Sequence, residues 1–277
     1  MKLHSIDTGY FKLDGGAMFG VVPKVIWNKL NPSDDKNLCT WAMRCLLIED
    51  NNQLILIDTG MGNKQDAKFF GYYEPSTKPT LQESIENAGY ALSDITDVIL
   101  THLHFDHCGA AISKKDDKLY TTFPNATYWS NEKHWEAAVN PNAREKASFL
   151  KENILPIQES GQLKFADEST VINSNIQLKL VNGHTDSMII PHIAYKGKTI
   201  VYMADLIASQ AHLPISYVMA YDTQPLITLQ EKELFLKEAV AKEQILFFEH
   251  DKSIECCTIE MTERGIRAKD SFDLAQL

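Results

Sequence analysis

The chain has 277 residues, 44% apolar and 23% charged, with 27 Lys and Arg against 37 Asp and Glu. That balance excludes a disordered chain, and a net charge of −10 disfavours broad nucleic-acid or anionic-membrane surfaces, which need clustered Lys and Arg. Five cysteines without a CxxC pair exclude a disulfide framework or zinc ribbon and read as reduced thiols.

The start, Met1 to Asp7, carries no apolar leader, and no run approaches the ~20 apolar residues of a membrane span. A cytoplasmic protein is therefore expected. No Pro/Gly/Ser linker divides the sequence, so residues 1–277 read as one domain. In chain order, 42–49 and 53–57 read as a hairpin around Asp50-Asn51-Asn52. Residues 80–88 have helical spacing, with Leu81, Ile85 and Ala88 on one face and Gly89 as the stop. A short apolar strand, 97–100, runs directly into Thr101-His102. Helices are expected over 132–139 and 144–154, then strands over 176–181, 189–195 and 199–203. The last two strands join at Lys196-Gly197-Lys198. Residues 229–242 give the clearest helix, and 245–248 a strand that ends at Glu249-His250. This order describes mixed sheets with helices outside, not a strict βαβ alternation. Each half runs from hairpin strands to helices, as a loosely duplicated layered unit would.

Residues 101–109 read Thr-His-Leu-His-Phe-Asp-His-Cys-Gly, placing three of the nine histidines and one Asp within 102–107. Surface or core histidines would not gather with a carboxylate at the end of an apolar strand. In an extended turn, His102 and His104 point the same way at period two, while Asp106 and His107 face a neighbouring point. Nitrogen and oxygen ligands at such spacing suit Zn²⁺ or a similar first-row ion.

His102-x-His104-x-Asp106-His107 resembles the signature of the metallo-β-lactamase superfamily of dinuclear metallohydrolases. Further segments follow in the family's order: Asp58-Thr59-Gly60, Gly183-His184-Thr185, Ala204-Asp205 and His250-Asp251. Taken alone, Asp58 could shape a turn, His184 a loop, and Asp205 a helix cap, while His250 could be surface. The resemblance implies an α/β fold, a four-layered αββα sandwich of two mixed sheets with outer helices. It also implies that His102, His104 and His184 hold one divalent ion, and that Asp106, His107 and His250 hold another. Asp205 would bridge the two, with Asp58 in support. Zinc is the default, with iron, manganese or cobalt tolerated by such ligands. A hydroxide between the ions would attack an electrophilic centre, and Asp106 would pass a proton to the leaving oxygen. His4, His134 and His192 read as structural.

Departures from relatives narrow the substrate. Asp205 stands where class B β-lactamases commonly have Cys, and only 27 residues follow His250, too few for a glyoxalase II substrate domain. His104 is present where flavodiiron reductases carry Glu, and the acidic balance gives little support to a nuclease. What remains resembles the lactonase and esterase branch, which includes N-acyl-homoserine lactone quorum-quenching enzymes. Residues 18–27 look like its apolar wall over the metals, and 212–225 like the segment after its bridging aspartate. Lactonases place a Tyr three residues after that aspartate, where this chain has Ala208, so Tyr221 or His212 is expected to substitute. The expected partner is a small ester or lactone, with neither nucleic acid nor membrane, and exposed N-terminal apolar residues could form a homodimer surface. Two alternatives stand: a phosphotriester or phosphodiester hydrolase using the same site, and a metal-stabilised redox-sensing module responding through Cys108.

Overall fold

The computed structural model describes residues 1–76 and 78–277. The first half of the chain gives β1 (Lys2–Asp14), β2 (Leu38–Asp50), β3 (Gln53–Ile57), β4 (Asp97–Ile99), β5 (Ile112–Lys115), β6 (Lys118–Thr121), β7 (Thr127–Ser130) and β8 (Leu163–Phe165). The second gives β9 (Ile176–Val181), β10 (Met188–Tyr195), β11 (Lys198–Tyr202), β12 (Ile245–Phe247), β13 (Cys256–Thr262) and β14 (Gly265–Phe272). One sheet runs β1-β2-β3-β4-β7-β8 and the other β14-β13-β12-β11-β10-β9, with β5 and β6 as a separate hairpin. Each half of the chain thus supplies one sheet. Both are mixed: β3, β4, β7 and β8 pair in parallel, as do β11 and β12, and the other pairings are antiparallel.

Side-chain alternation sorts the apolar residues into layers. In β2 and β3, Leu46, Ile48, Ile55 and Ile57 face the second sheet and meet Ile189, Ile193, Ile200 and Phe247. Their neighbours Cys45, Leu47, Leu54 and Leu56 face outward, against Leu81 and Ile85 of helix Leu81–Asn87, Trp135 of helix Glu132–Val139, and Ile154 and Ile157 of helix Lys151–Glu159. Helix Pro225–Ala241 covers the second sheet through Leu236 and Ala239. The result is the four-layered αββα sandwich. Among the described residues no helix is long and apolar enough to cross a membrane.

Two expected helices shift. The helix expected over 144–154 begins only at Lys151, because the Asn142 side chain accepts the N–H groups of Arg144 and Glu145 and folds 142–148 into turns. It then runs through Pro156, whose missing N–H forfeits one bond near the first turn. The helix expected from 229 starts at Pro225, where proline suits the first helical position. β1, β5, β6, β7, β8, β13 and β14 are absent from the sequence reading: β5 to β8 are only three or four residues long, and β1, β13 and β14 are edge or near-edge strands carrying polar residues. What matters for chemistry is that β3, β4, β9, β11 and β12 all end on one side, delivering Asp58, residues 101–107, His184, Asp205 and His250.

Candidate metal centre

The backbone bends sharply to bring these side chains together. Asp58 and Ala204 lie in the left-handed region, at φ 57° and 41°, a conformation that non-glycine residues keep only when the surroundings enforce it. The enforcement is visible. Asp58 Oδ1 accepts the Thr101 N–H at 2.8 Å and Oδ2 the Thr101 hydroxyl at 2.6 Å, tying the end of β3 to the start of the histidine loop. The His184 loop is held by Glu231, which accepts the N–H groups of Asn182 and Gly183 at 2.8 and 2.9 Å. Gly183 must be glycine, since a Cβ there would lie 2.2 Å from the Thr228 hydroxyl oxygen.

The six sequence-expected ligands besides Asp106 are buried at 7% exposure or less, and Asp106 at 8%. His102, His104, His184 and Asp205 bring one ligating atom each within 4.8 Å of one another, and Asp106, His107 and His250 form a second such group. Hydrogen bonds on the outer nitrogens fix which atoms face inward. His184 Nδ1 donates to Asp222 Oδ1 at 2.8 Å and His250 Nδ1 to the Ala42 carbonyl at 2.8 Å. His107 Nδ1 faces Glu249 at 3.0 Å and Asp58 at 3.2 Å. Thr101 Oγ1, whose proton goes to Asp58, accepts from His102 Nδ1 at 3.1 Å. The inward nitrogens are therefore bare lone pairs in the neutral rings, yet they crowd together. His107 Nε2 and His250 Nε2 are 3.1 Å apart, and His104 Nδ1 lies 3.1 Å from His102 Nε2 and 3.2 Å from His184 Nε2. Lone pairs at such distances repel unless a proton or a metal cation sits between them.

Asp205 joins the two groups. Its Oδ2 lies 3.0 Å from His184 Nε2 and 3.5 Å from His107 Nε2, and its Oδ1 lies 3.1 Å from His250 Nε2. Burial lowers the affinity of His184 for a proton, but Asp205 and Asp222 outweigh it and raise its pKa to about 10. Burial likewise opposes Asp205 and Glu249 at His250, which is raised to about 9. For His102 burial wins, and His107 and His104 add to it, holding the ring well below its ordinary range. The donor set, crowded imidazole nitrogens around a shared carboxylate with no Lys or Arg among them, fits two first-row divalent cations.

A cleft of about 300 Å³ opens onto this cluster. Leu13, Met18, Phe105 and Met219 supply apolar wall, while Asp106, Tyr73 and Tyr221 supply polar groups. Tyr221 lines the cleft, whereas Ala208 is buried and does not. His212 does not reach the cleft. Both its nitrogens are engaged, Nδ1 with the Ser209 hydroxyl at 2.8 Å and Nε2 with the Met18 carbonyl at 2.9 Å. Its ring stacks on Phe19 at 4.6 Å, and Phe19 stacks on Trp27 at 5.4 Å. The expected catalytic role is corrected to one of packing: His212 supports the apolar wall from behind. Cys108 is also buried, with its thiol donating to the Leu103 carbonyl and burial raising its pKa to about 12, unlike a responsive thiol.

Sequence reasoning missed the groups behind the ligands. Asp222 orients His184, and Glu145 accepts the Thr185 hydroxyl at 2.6 Å and lies 3.8 Å from the outer nitrogen of His104. His134, read as structural, links two ligand loops by accepting the Leu103 N–H at 2.8 Å and donating to the Asp186 carbonyl at 2.7 Å. Arg44 is buried and donates to the carbonyls of Phe248 and Asp251, both at 2.9 Å, bracketing His250. Adjacency to a ligand in sequence could have flagged Glu249; nothing local marks Glu145, Asp222 or Arg44.

Comparison with known proteins points to one superfamily. A probable metallo-hydrolase of Mycobacterium bovis is 33% identical over 95 residues, so the match spans only 31% of that relative's length and 31% of this chain. An N-acyl homoserine lactonase of Bacillus cereus is 26% identical over 265 residues, covering 90% of this chain and 93% of the relative. A crystal structure of a probable metal-dependent hydrolase from Staphylococcus aureus aligns with a TM-score of 0.90 at 25% identity, over 98% of this chain and 96% of that one. AidC, a dizinc quorum-quenching lactonase solved with N-hexanoyl-L-homoserine product, aligns at 0.78 and 24% identity, over 98% and 95% of the two chains. Residues 44–250, from the buried arginine to the last clustered histidine, match the metallo-beta-lactamase superfamily model, and the chain belongs to that superfamily.

Proposed function

We propose that this metallo-hydrolase carries two divalent ions, zinc by default, and opens a lactone or cleaves an ester, with N-acyl-homoserine lactones as first candidates. The observation that carries the reading is Asp205, whose two oxygens reach the bare nitrogens of both histidine groups. When bound, such a pair of ions lowers the pKa of a shared water to near neutral and polarises an acyl oxygen.

The chain's own residues do the rest. His102, His104 and His184 would hold one ion, Asp106, His107 and His250 the other, and Asp222, Thr101 and Ala42 keep the rings in the required tautomer. Asp106 belongs to the second ligand group and lines the cleft, and its carboxylate would take a proton from the attacking water and pass it to the leaving oxygen. Tyr221 offers a phenol at the same cleft, where burial raises its pKa and keeps it a proton donor to a substrate oxygen. The walls of Leu13, Met18, Phe105 and Met219 exclude water and suit an acyl chain. Five free, buried cysteines fit a reducing cytoplasm.

The test is a panel of acyl-homoserine lactones, aryl esters and phosphotriesters, ranked by kcat/KM with zinc-loaded protein. Preference for lactones or esters, abolished in Asp106→Asn with the melting curve retained, supports the reading. Preference for phosphotriesters moves the substrate class, and full activity after removal of all metal sinks the mechanism.

A further inference from the structure

Glu249 has no task in the reading above. It follows β12, is wholly buried, and places Oε2 3.0 Å from His107 Nδ1. Beyond that contact, neither of its oxygens has a hydrogen-bond partner among the described residues. No Lys or Arg pairs with it either, among the described ion pairs. Asp58 stands 3.2 Å from the same nitrogen, but its two oxygens already accept from the Thr101 N–H and hydroxyl. The Tyr202 hydroxyl nearby is spent on the Arg44 carbonyl at 3.0 Å. Glu249 is thus the carboxylate with nothing to bind except the back of a clustered histidine.

An unpaired buried carboxylate costs several kcal/mol and persists only where something compensates it. The compensation available lies across one imidazole ring, where His107 Nε2 meets His250, Asp106 and Asp205. A carboxylate on the outer nitrogen of a ligating histidine fixes its orientation and makes the inner nitrogen a stronger donor. We propose that Glu249 is a positioning residue that acts through His107, strengthening the hold of the Asp106–His107–His250 group on its ion relative to the His102–His104–His184 group. This rests on the two-ion reading.

The experiment follows release of zinc from the zinc-loaded protein into excess chromophoric chelator, with total zinc counted per chain. The parent is compared with Glu249→Gln, and with Asp222→Asn, which weakens the support of His184 instead. In Glu249→Gln one release phase is expected to accelerate about 10- to 100-fold, with the other unchanged. Asp222→Asn is expected to accelerate the opposite phase. Melting of chelated Glu249→Gln is expected to stay near the parent's, because glutamine keeps the volume and an oxygen that accepts from His107 Nδ1. Unchanged release of both zinc ions overturns the proposal, and so does equal acceleration of both phases with lower melting of the chelated protein, which marks a packing role. A third zinc per parent chain, lost in Glu249→Gln, also overturns it by making Glu249 a ligand with Asp58 and His107. A parent holding fewer than two zinc ions removes the two-ion reading itself, and this assignment with it.

Discussion

Asp205→Asn is the substitution most able to break the two-ion reading, because one side chain serves both histidine groups. Its Oδ2 lies 3.0 Å from His184 Nε2, 3.5 Å from His107 Nε2 and 3.7 Å from His102 Nε2, while Oδ1 lies 3.1 Å from His250 Nε2. The carboxylate is only 7% exposed, so water cannot stand in for it. Asparagine keeps the volume and removes the charge. Breaking one side of a buried charge pair costs about 3–5 kcal/mol, and each ~1.4 kcal/mol is tenfold in affinity. Both ions should therefore bind about two to nearly four orders of magnitude more weakly. Asp106→Asn supplies the one-sided control, since Asp106 contacts only His107 and His250 within the two groups, each at 3.8 Å. The assay is zinc competition against a chromophoric chelator, with total zinc counted per chain. Asp205→Asn protein that keeps one zinc at parental affinity refutes the bridging role, and one that keeps two refutes the argument entirely.

Three further outcomes are expected. Tyr221→Phe should lower kcat about 10-fold or more while KM moves little, as for loss of one hydrogen bond to developing charge; an unchanged kcat removes the phenol from the mechanism. Phe19→Ala should destabilise by about 3–5 kcal/mol, because Phe19 is wholly buried between Trp27 and His212. Zinc content per chain should survive at temperatures where that variant is folded, and denaturant titration with metal analysis checks both parts. Finally, His184 and His250 have folded pKa values raised from 6.5 to about 10 and about 9. Groups raised in the folded state stabilise it fully below pH 6.5 and lose that contribution as pH climbs through about 9 to 10. The melting temperature of chelated protein should therefore fall between pH 7 and pH 10, and less so with zinc; a flat profile without metal contradicts the proposed coupling to Asp205.

The residues that touch the clustered centre were legible because they sit in short motifs at strand ends, where local order and spacing carry information. His102 to His107 needed no tertiary knowledge beyond the strand at 97–99 that precedes them. His212 misled for a related reason: a histidine near aromatic residues reads as a site, but Phe19, from nearly 200 positions earlier, claims its ring face and Met18 its nitrogen. The supporting layer was illegible on the same ground. Asp222 meets His184 across 38 positions, and Arg44 meets the carbonyls around His250 across more than 200. Such pairings are set by how two sheets stack, and no periodicity in one segment reports them. β13 and β14 escaped because edge strands with one solvated face need few apolar residues.

The acidity of the chain takes a different meaning once its carboxylates are located. Asp58, Asp106, Glu145, Asp205, Asp222 and Glu249 all crowd the histidines, each buried. Among the described ion pairs none of the six is matched by Lys or Arg. With Asp50 and Asp97 they make eight buried carboxylates against two buried bases, Arg44 and Lys232, so more than half of the net charge of −10 is interior. That much interior negative charge calls for cations, and imidazolium at His184 and His250 offsets only part of it when metal is removed. The two divalent ions proposed above would supply four positive charges at the point where the carboxylates converge. Net charge in this chain is therefore a poor guide to its surface and a fair one to its centre.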